Sequence, residues 1–186
     1  MELVSKILQL TGLSDEAQQW LETHLEELSF KKNEVILPEG KICNSLYFVK
    51  SGIIGGHYFS GENEICNWIA AEGDLATSYY SFISRTPSYE IIECFESCVL
   101  QVISESKIQE MYSLFPETER AGRLILEEYY SRLEERLIGI QFKSAKERYD
   151  ALLEKRPEIV LRAPLGRVAS YLGIKQETLS RIRATK

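Results

Sequence analysis

The sequence predicts an α+β protein: a short helix, an antiparallel β-barrel, a long helix, then a small helical unit at the end of the chain. Three observations predict it. Residues 14–28 carry apolar side chains at helical spacing, residues 29–103 break into short apolar and β-branched runs divided by turn residues, and helical spacing returns from Ser104 onward.

SDEAQQWLETHLEEL, residues 14–28, begins with a capping serine and two acids. Ala17, Trp20, Leu21, Leu25 and Leu28 then recur as on one helix face, which predicts an amphipathic helix over the whole stretch. Between 29 and 103, the runs EVIL, SLYFVKSG, IIGGHYF, EICNWIAA, YEIIECF and CVLQVI alternate with PEGK, SGEN and EGD. Strands so short and so closely spaced predict a barrel or sandwich, and the barrel is the expectation carried forward.

Pro116 suits the first turn of a helix, and the segment it opens runs to Phe142. Within it Leu126, Tyr130, Leu133, Leu137 and Ile140 step by four, three, four and three, a heptad seam flanked by Arg132, Glu134, Glu135 and Arg136. A helix of this length resting only on its own domain would leave part of itself unpartnered. The expectation is a parallel homodimer through residues 116–142. SAKERYDALLEK, 144–155, reads as a separate helix ended by Pro157 and marks the junction to a C-terminal unit over 143–186.

That unit reads as two helices. Pro164 begins Leu165–Leu172, Gly173 supplies a positive-φ turn, and Gln176–Ala184 follows, with Ala169 small where the helices cross. At about 100° per residue, Leu179 and Ile182 lie roughly 60° apart and define a buried face. The opposite face holds Glu177, Ser180 and Arg181, with Gln176 and Arg183 at its margin, side chains suited to base edges and phosphates. Lys175 is a poor N-cap, costing a few tenths to about 1 kcal/mol, and a cation there makes better sense beside a phosphate backbone.

The charge distribution agrees. The net charge is −6, yet from Ser144 onward ten Lys and Arg stand against five Asp and Glu, a local balance of +5 that leaves −11 on residues 1–143. From Arg162 six bases face one acid, Glu177, which points to a polyanion partner for the tail. An apolar content of 44% is enough for a proper core. No run approaches the roughly 18–20 apolar residues of a membrane span and the N-terminus lacks a secretory pattern, so a cytoplasmic protein with no membrane partner is expected. Cys43, Cys66, Cys94 and Cys98 form no CxxC pair and have no close His, which predicts reduced, buried thiols and no metal site. With His24 and His57 as the whole histidine complement, and no catalytic triad, phosphate loop or HExxH pattern, no catalytic residue is assigned and an enzyme is not expected.

The tail resembles the helix-turn-helix of the CRP/FNR family of transcription regulators, through Glu177-Thr178-Leu179-Ser180-Arg181. LPEGKICNSLYFVKSG, 37–52, is similar to the same family's sensor-barrel pattern, and Gly73-Asp74-Leu75 resembles the start of its ligand cassette. The resemblance runs in order along nearly the whole chain. It implies a cyclic-nucleotide-binding-like double-stranded β-helix over 1–115, a dimerisation helix over 116–142 and a DNA-binding domain over 143–186. It further implies that a homodimer reads a near-palindromic site in double-stranded DNA, using Lys175, Gln176, Glu177, Thr178, Ser180, Arg181 and Arg183. RNA polymerase and a small-molecule effector are the other partners it suggests. Gln176 stands where cyclic-AMP-responsive members carry Arg, so a different preferred sequence is expected, and the short stretch after the recognition helix implies a reduced wing.

The effector site departs from the family. A cyclic-nucleotide cassette needs a Gly-Glu pair and, about a dozen residues on, an Arg followed by Ser or Thr to neutralise the phosphate. Here Asp74 replaces the Glu, and counting forward reaches Arg85-Thr86 whereas counting back from CVLQVIS reaches Ser88. Gly73, Asp74, Leu75, Arg85, Thr86 and Ser88 are therefore the candidate ligand residues. The cofactor is left open, and a cyclic nucleotide is not the favoured one. The other non-enzymatic reading is a ligand-binding or dimerisation module without DNA binding, from which the basic, unspoiled face of residues 176–183 separates this chain.

Overall fold

A computed structural model describes residues 2–61 and 63–184. Helix α1 (Leu3–Leu10) turns Leu3, Val4 and Ile7 inward, and the first N–H of the helix donates to Gln101 Oε1 at 2.8 Å. Helix α2 (Asp15–His24) starts on Ser14, whose hydroxyl accepts from the Ala17 N–H, and buries Ala17 and Leu21. The helix expected over 14–28 therefore stops short. Leu25 is its C-cap, and Leu28 lies on strand β1 (Glu26–Phe30), where pairing with β8 (Cys98–Ser104) runs from Glu26 opposite Val102 to Phe30 opposite Cys98. A complete ladder with a distant strand outweighs the local helical spacing.

The remaining strands are β2 (Val35–Leu37), β3 (Ser45–Ser51), β4 (Ile54–Ser60), β5 (Asn63–Ala70), β6 (Leu75–Ala76) and β7 (Ile91–Cys94), with helix α3 (Tyr79–Ser84) between β6 and β7. They form two four-stranded antiparallel sheets, ordered β1-β8-β3-β6 and β2-β7-β4-β5. The closed barrel expected from the sequence is not formed. The edge strands β2 and β6 have three and two residues, too few to carry a ladder from one sheet to the other. Phe48, Ile54, Ile92 and Leu100 fill the space between the sheets, with α1 and α2 covering it. Gly52, at φ +97°, makes the β3–β4 turn, and a Cβ there would stand 2.5 Å from Cys98 Sγ and 2.7 Å from the Ser97 carbonyl. All four cysteines are free and buried.

Helix α4 (Glu105–Leu114) starts on Ser104, and α5 (Glu117–Phe142) follows directly after Pro116. Of the 26 residues of α5, Thr118, Ala121 and Gly139 are buried. Its heptad seam faces outward, with Leu126 at 45%, Tyr130 at 65%, Leu133 at 44%, Leu137 at 55% and Ile140 at 40% exposure. Helix α6 (Ala145–Lys155) opens with a capping box between Ser144 and Glu147, and α7 (Pro157–Arg162) uses Pro157 at its first turn. The chain closes with α8 (Leu165–Tyr171) and α9 (Gln176–Ala184). Tyr149, Ile159, Val168, Leu172 and Leu179 share one core with Ile53, Ile69, Ala71 and Phe95, so the C-terminal helices complete their packing on the second sheet. No helix among the described residues is long and apolar enough to cross a membrane.

Candidate functional site

Helices α8 and α9 are joined by a tight turn with paired backbone bonds. The Gly173 N–H donates to the Ser170 carbonyl at 2.9 Å and the Ile174 N–H to the Ala169 carbonyl at 3.0 Å, with Gly173 at φ +67°. This is the Schellman arrangement, which stops α8 and redirects the chain at once. Leu179 is fully buried, Ile182 partly so, and they anchor α9 against α8. Gln176, Glu177, Ser180, Arg181 and Arg183 are all exposed, as is Lys175 just before the helix, while Thr178 is half-buried. The residues named from sequence thus lie together on the outward side of one helix, with Thr178 at its edge. Arg181 Nε approaches the Glu177 carbonyl at 3.4 Å, which lays the guanidinium back along the helix.

Among the described residues, bases of the earlier C-terminal helices are engaged elsewhere. Arg162 grips Glu72 with two bonds, 2.7 and 2.9 Å, and also meets Glu96; Arg167 lies between Glu64 and Glu93, 3.0 Å from the latter. Arg156 and Arg132 converge on the buried carboxylate of Asp74, which also accepts the Ala71 N–H at 2.9 Å. Lys155 pairs with Glu135 of α5. Hydrogen bonds from Arg162 hold the Glu72 carboxyl down at about 2, well below its ordinary 4.5. Burial alone would lower the Arg156 pKa, but the Asp74 and Glu158 carboxylates together outweigh it and the net shift is upward. Ser170 adds a neutral tie, accepting from the Cys66 N–H at 2.8 Å and donating to the Glu64 carbonyl at 3.2 Å along the free edge of β5.

The candidate ligand residues separate. Asp74 and Leu75 line a cavity of about 140 Å³ with Trp68, Tyr79 and Tyr129, whose ring stacks on Tyr79 at 3.9 Å between centroids. Gly73, at φ +86°, makes the turn beside it. Arg85 and Thr86 do not reach this cavity. The exposed Arg85, itself in the left-handed region at φ 57°, donates to the carbonyls of Cys43 and Phe82 at 3.0 and 3.1 Å. Ser88 is buried, with its hydroxyl 2.9 Å from that of Ser78. His57, also buried, has Nε2 3.0 Å from Glu64, and its pKa is lowered first by burial and then by the Arg167 charge. Among the described residues no group of three His, Cys, Asp or Glu side chains is arranged to hold a metal ion.

No protein-family model matches the chain, and no curated protein matches it. Solved structures do. FixK2 from Bradyrhizobium japonicum superimposes with a TM-score of 0.74 at 18% identity, over 87% of this chain and 83% of FixK2. The c-di-GMP responsive global regulator CLP of Xanthomonas campestris gives 0.70 at 18%, over 92% and 91%. A chain from Eubacterium rectale assigned to the CRP/FNR family of transcriptional regulators gives 0.70 at 22%, over 93% and 83%. The chain has the CRP/FNR fold. Within that fold, the ties from Arg156, Arg162 and Arg167 to Asp74, Glu72, Glu96, Glu64 and Glu93 are what sequence reasoning missed. The opposite charges of the two chain segments were the available signal, and they do not say which base meets which acid.

Proposed function

We propose that this chain is a DNA-binding transcription regulator of the CRP/FNR type, working as a homodimer through α5 and reading a near-palindromic duplex site with α9. In this reading residues 1–115 form a cyclic-nucleotide-binding-like sensor part, 116–142 the dimer helix and 143–186 the DNA-binding part, with α8 and α9 as its helix-turn-helix. The observation that carries it is the two-sidedness of α9: Leu179 is fully buried while Gln176, Glu177, Ser180, Arg181 and Arg183 are exposed. Arg fits guanine, Gln fits adenine, and a helix N-terminus beside Lys175 suits phosphate. The exposed seam from Leu126 to Ile140 supports the dimer, since a continuous apolar stripe on a long helix is stabilised by a second copy in parallel register. Two recognition helices would then enter successive major grooves about one helical turn apart. RNA polymerase is the further partner such a regulator would meet on DNA.

A cyclic nucleotide is not the favoured effector in this reading. The cavity beside Asp74 measures about 140 Å³, below the roughly 300 Å³ at which small-molecule sites begin. Its carboxylate is already taken by Arg132, Arg156 and the Ala71 N–H, and Arg85 stands apart from it. Selection of bound sites from random duplex DNA by the full chain, followed by footprinting, tests the proposal. The expected result is an enriched inverted repeat protected on one face of the duplex. Absence of any enriched sequence at low salt would overturn it.

A further inference from the structure

Between α5 and the helices α6 and α8 lies a second cavity, of about 410 Å³, within the roughly 300–1,000 Å³ range of small-molecule sites. Its walls carry six cationic side chains, and Glu135 is the one carboxylate among them. Three of the six are balanced: Arg132 and Arg156 by Asp74, and Lys155 by Glu135. The other three, Arg136, Lys143 and Arg148, form no ion pair among the described residues.

The two arginines are held in place without being neutralised, and Lys143 is exposed beside them. Arg148 Nε donates to the Leu172 carbonyl at 2.9 Å and its Nη1 to the Lys143 carbonyl at 2.5 Å. Arg136 donates to the Tyr171 carbonyl at 3.1 Å and lies over the Tyr171 ring at 4.8 Å, while its buried Nε finds no acceptor. Carbonyl oxygens fix a guanidinium but leave its charge in place, and like charges around one concave space repel more strongly than they would in open water. An anion entering that space meets preset donors and relieves the repulsion, with Gly139, Ala151 and Leu152 among the apolar residues of the lining.

We propose that this cavity binds a small phosphorylated molecule carrying at least two negative charges. A cleft of this volume between helices has room for a small anion and not for a duplex, and guanidinium forks match phosphate oxygens. The site touches α5 and the residues Tyr171 and Leu172 just before the α8–α9 turn. Its occupancy therefore bears on how α9 is carried relative to α5, a consequence that rests on the function proposed above; the binding itself does not.

Calorimetric titration of the full chain with inorganic tripolyphosphate tests the site, with citrate as a second multivalent anion. Two variants are compared: Lys143→Glu, at an exposed position, and Arg148→Gln, which keeps a donor for the Leu172 carbonyl. Matching circular dichroism and melting curves without anion establish that both are folded. The expected result is saturable tripolyphosphate binding, weaker for citrate, and weakened at least about tenfold in each variant. No heat at millimolar tripolyphosphate overturns the proposal, as does binding by both variants as tight as that of the parent chain. Equal affinity for citrate overturns the phosphate class. Binding that survives in both but is lost in the Lys175→Ala/Arg183→Ala double variant would put the anion on α9 and also overturn it. No DNA is present, so a failed site selection leaves the cavity proposal standing, and a failed titration leaves the DNA-binding proposal standing.

Discussion

Arg156 donates through Nη2 to Asp74 Oδ2 across 82 residues of sequence, joining the start of α7 to the turn before β6. Asp74 is 7% exposed and is shared with Arg132 of α5. One carboxylate thereby fastens the sheets, the long helix and the C-terminal helices to a common point.

Removing it should be costly. Asp74→Ala leaves the half-buried Arg156 with Glu158 alone and Arg132 with Glu128 alone, and leaves the Ala71 N–H without its acceptor. Breaking a buried pair on one side costs about 3–5 kcal/mol. Urea denaturation of the variant against the parent chain checks this, and a loss below about 1 kcal/mol would mean that Glu158, Glu128 and solvent already carry the two guanidinium groups.

The seam on α5 makes a separate prediction. Leu133→Glu and Leu137→Glu place like charges face to face in a parallel pair while touching side chains that are 44% and 55% exposed in one protomer. Sedimentation should show the parent as a dimer and the double variant as a folded monomer. A variant that remains dimeric would move the interface away from this face.

On α9 the two arginines should differ. Arg181→Ala is expected to weaken specific binding by roughly 1–3 kcal/mol and relax preference at one base pair, whereas Arg183→Ala should lower affinity for all sequences and flatten the salt dependence. Binding isotherms on the selected site and on scrambled DNA, at several salt concentrations, separate the two. Identical profiles for both variants would remove the base-reading role of Arg181.

His57 gives a pH dependence of known sign. Burial, then the Arg167 charge, lowers its folded-state pKa below the ordinary 6.5, against the opposing pull of Glu64, Glu93 and Glu90. As pH falls through 6.5, the unfolded chain takes up a proton that the folded chain refuses, so stability drops. His57→Gln should flatten that fall between about pH 7.5 and about pH 5.5, measured by chemical denaturation. A parent chain equally stable at both values would contradict the assignment.

What could be read in advance depended on whether the signal was local. Pro116 opening α5, the heptad stripe, and Gly173 closing α8 act within a few residues, and each lies where its chemistry puts it. Leu28 misled because its neighbour is Leu100, far along the chain, and a strand ladder overrode the spacing. The count between Gly73 and Ser88 was ambiguous because α3 takes up residues 79–84, a length that the spacing alone could not reveal. The basic balance of the tail was legible as charge but not as geometry: Arg162 finds Glu72 from 90 residues away, so part of what pointed outward to a polyanion is spent inside the molecule.

Gly52 offers the experimenter a ready-made control. A methyl group at that turn would meet Cys98 Sγ and the Ser97 carbonyl at distances no side chain tolerates, on backbone already in the left-handed region. Gly52→Ala should thus behave as a heat-sensitive allele that empties the cell of folded protein without altering α5, α9 or either cavity. Whatever it abolishes needs only the fold, and whatever a surface variant abolishes beyond that belongs to the surface.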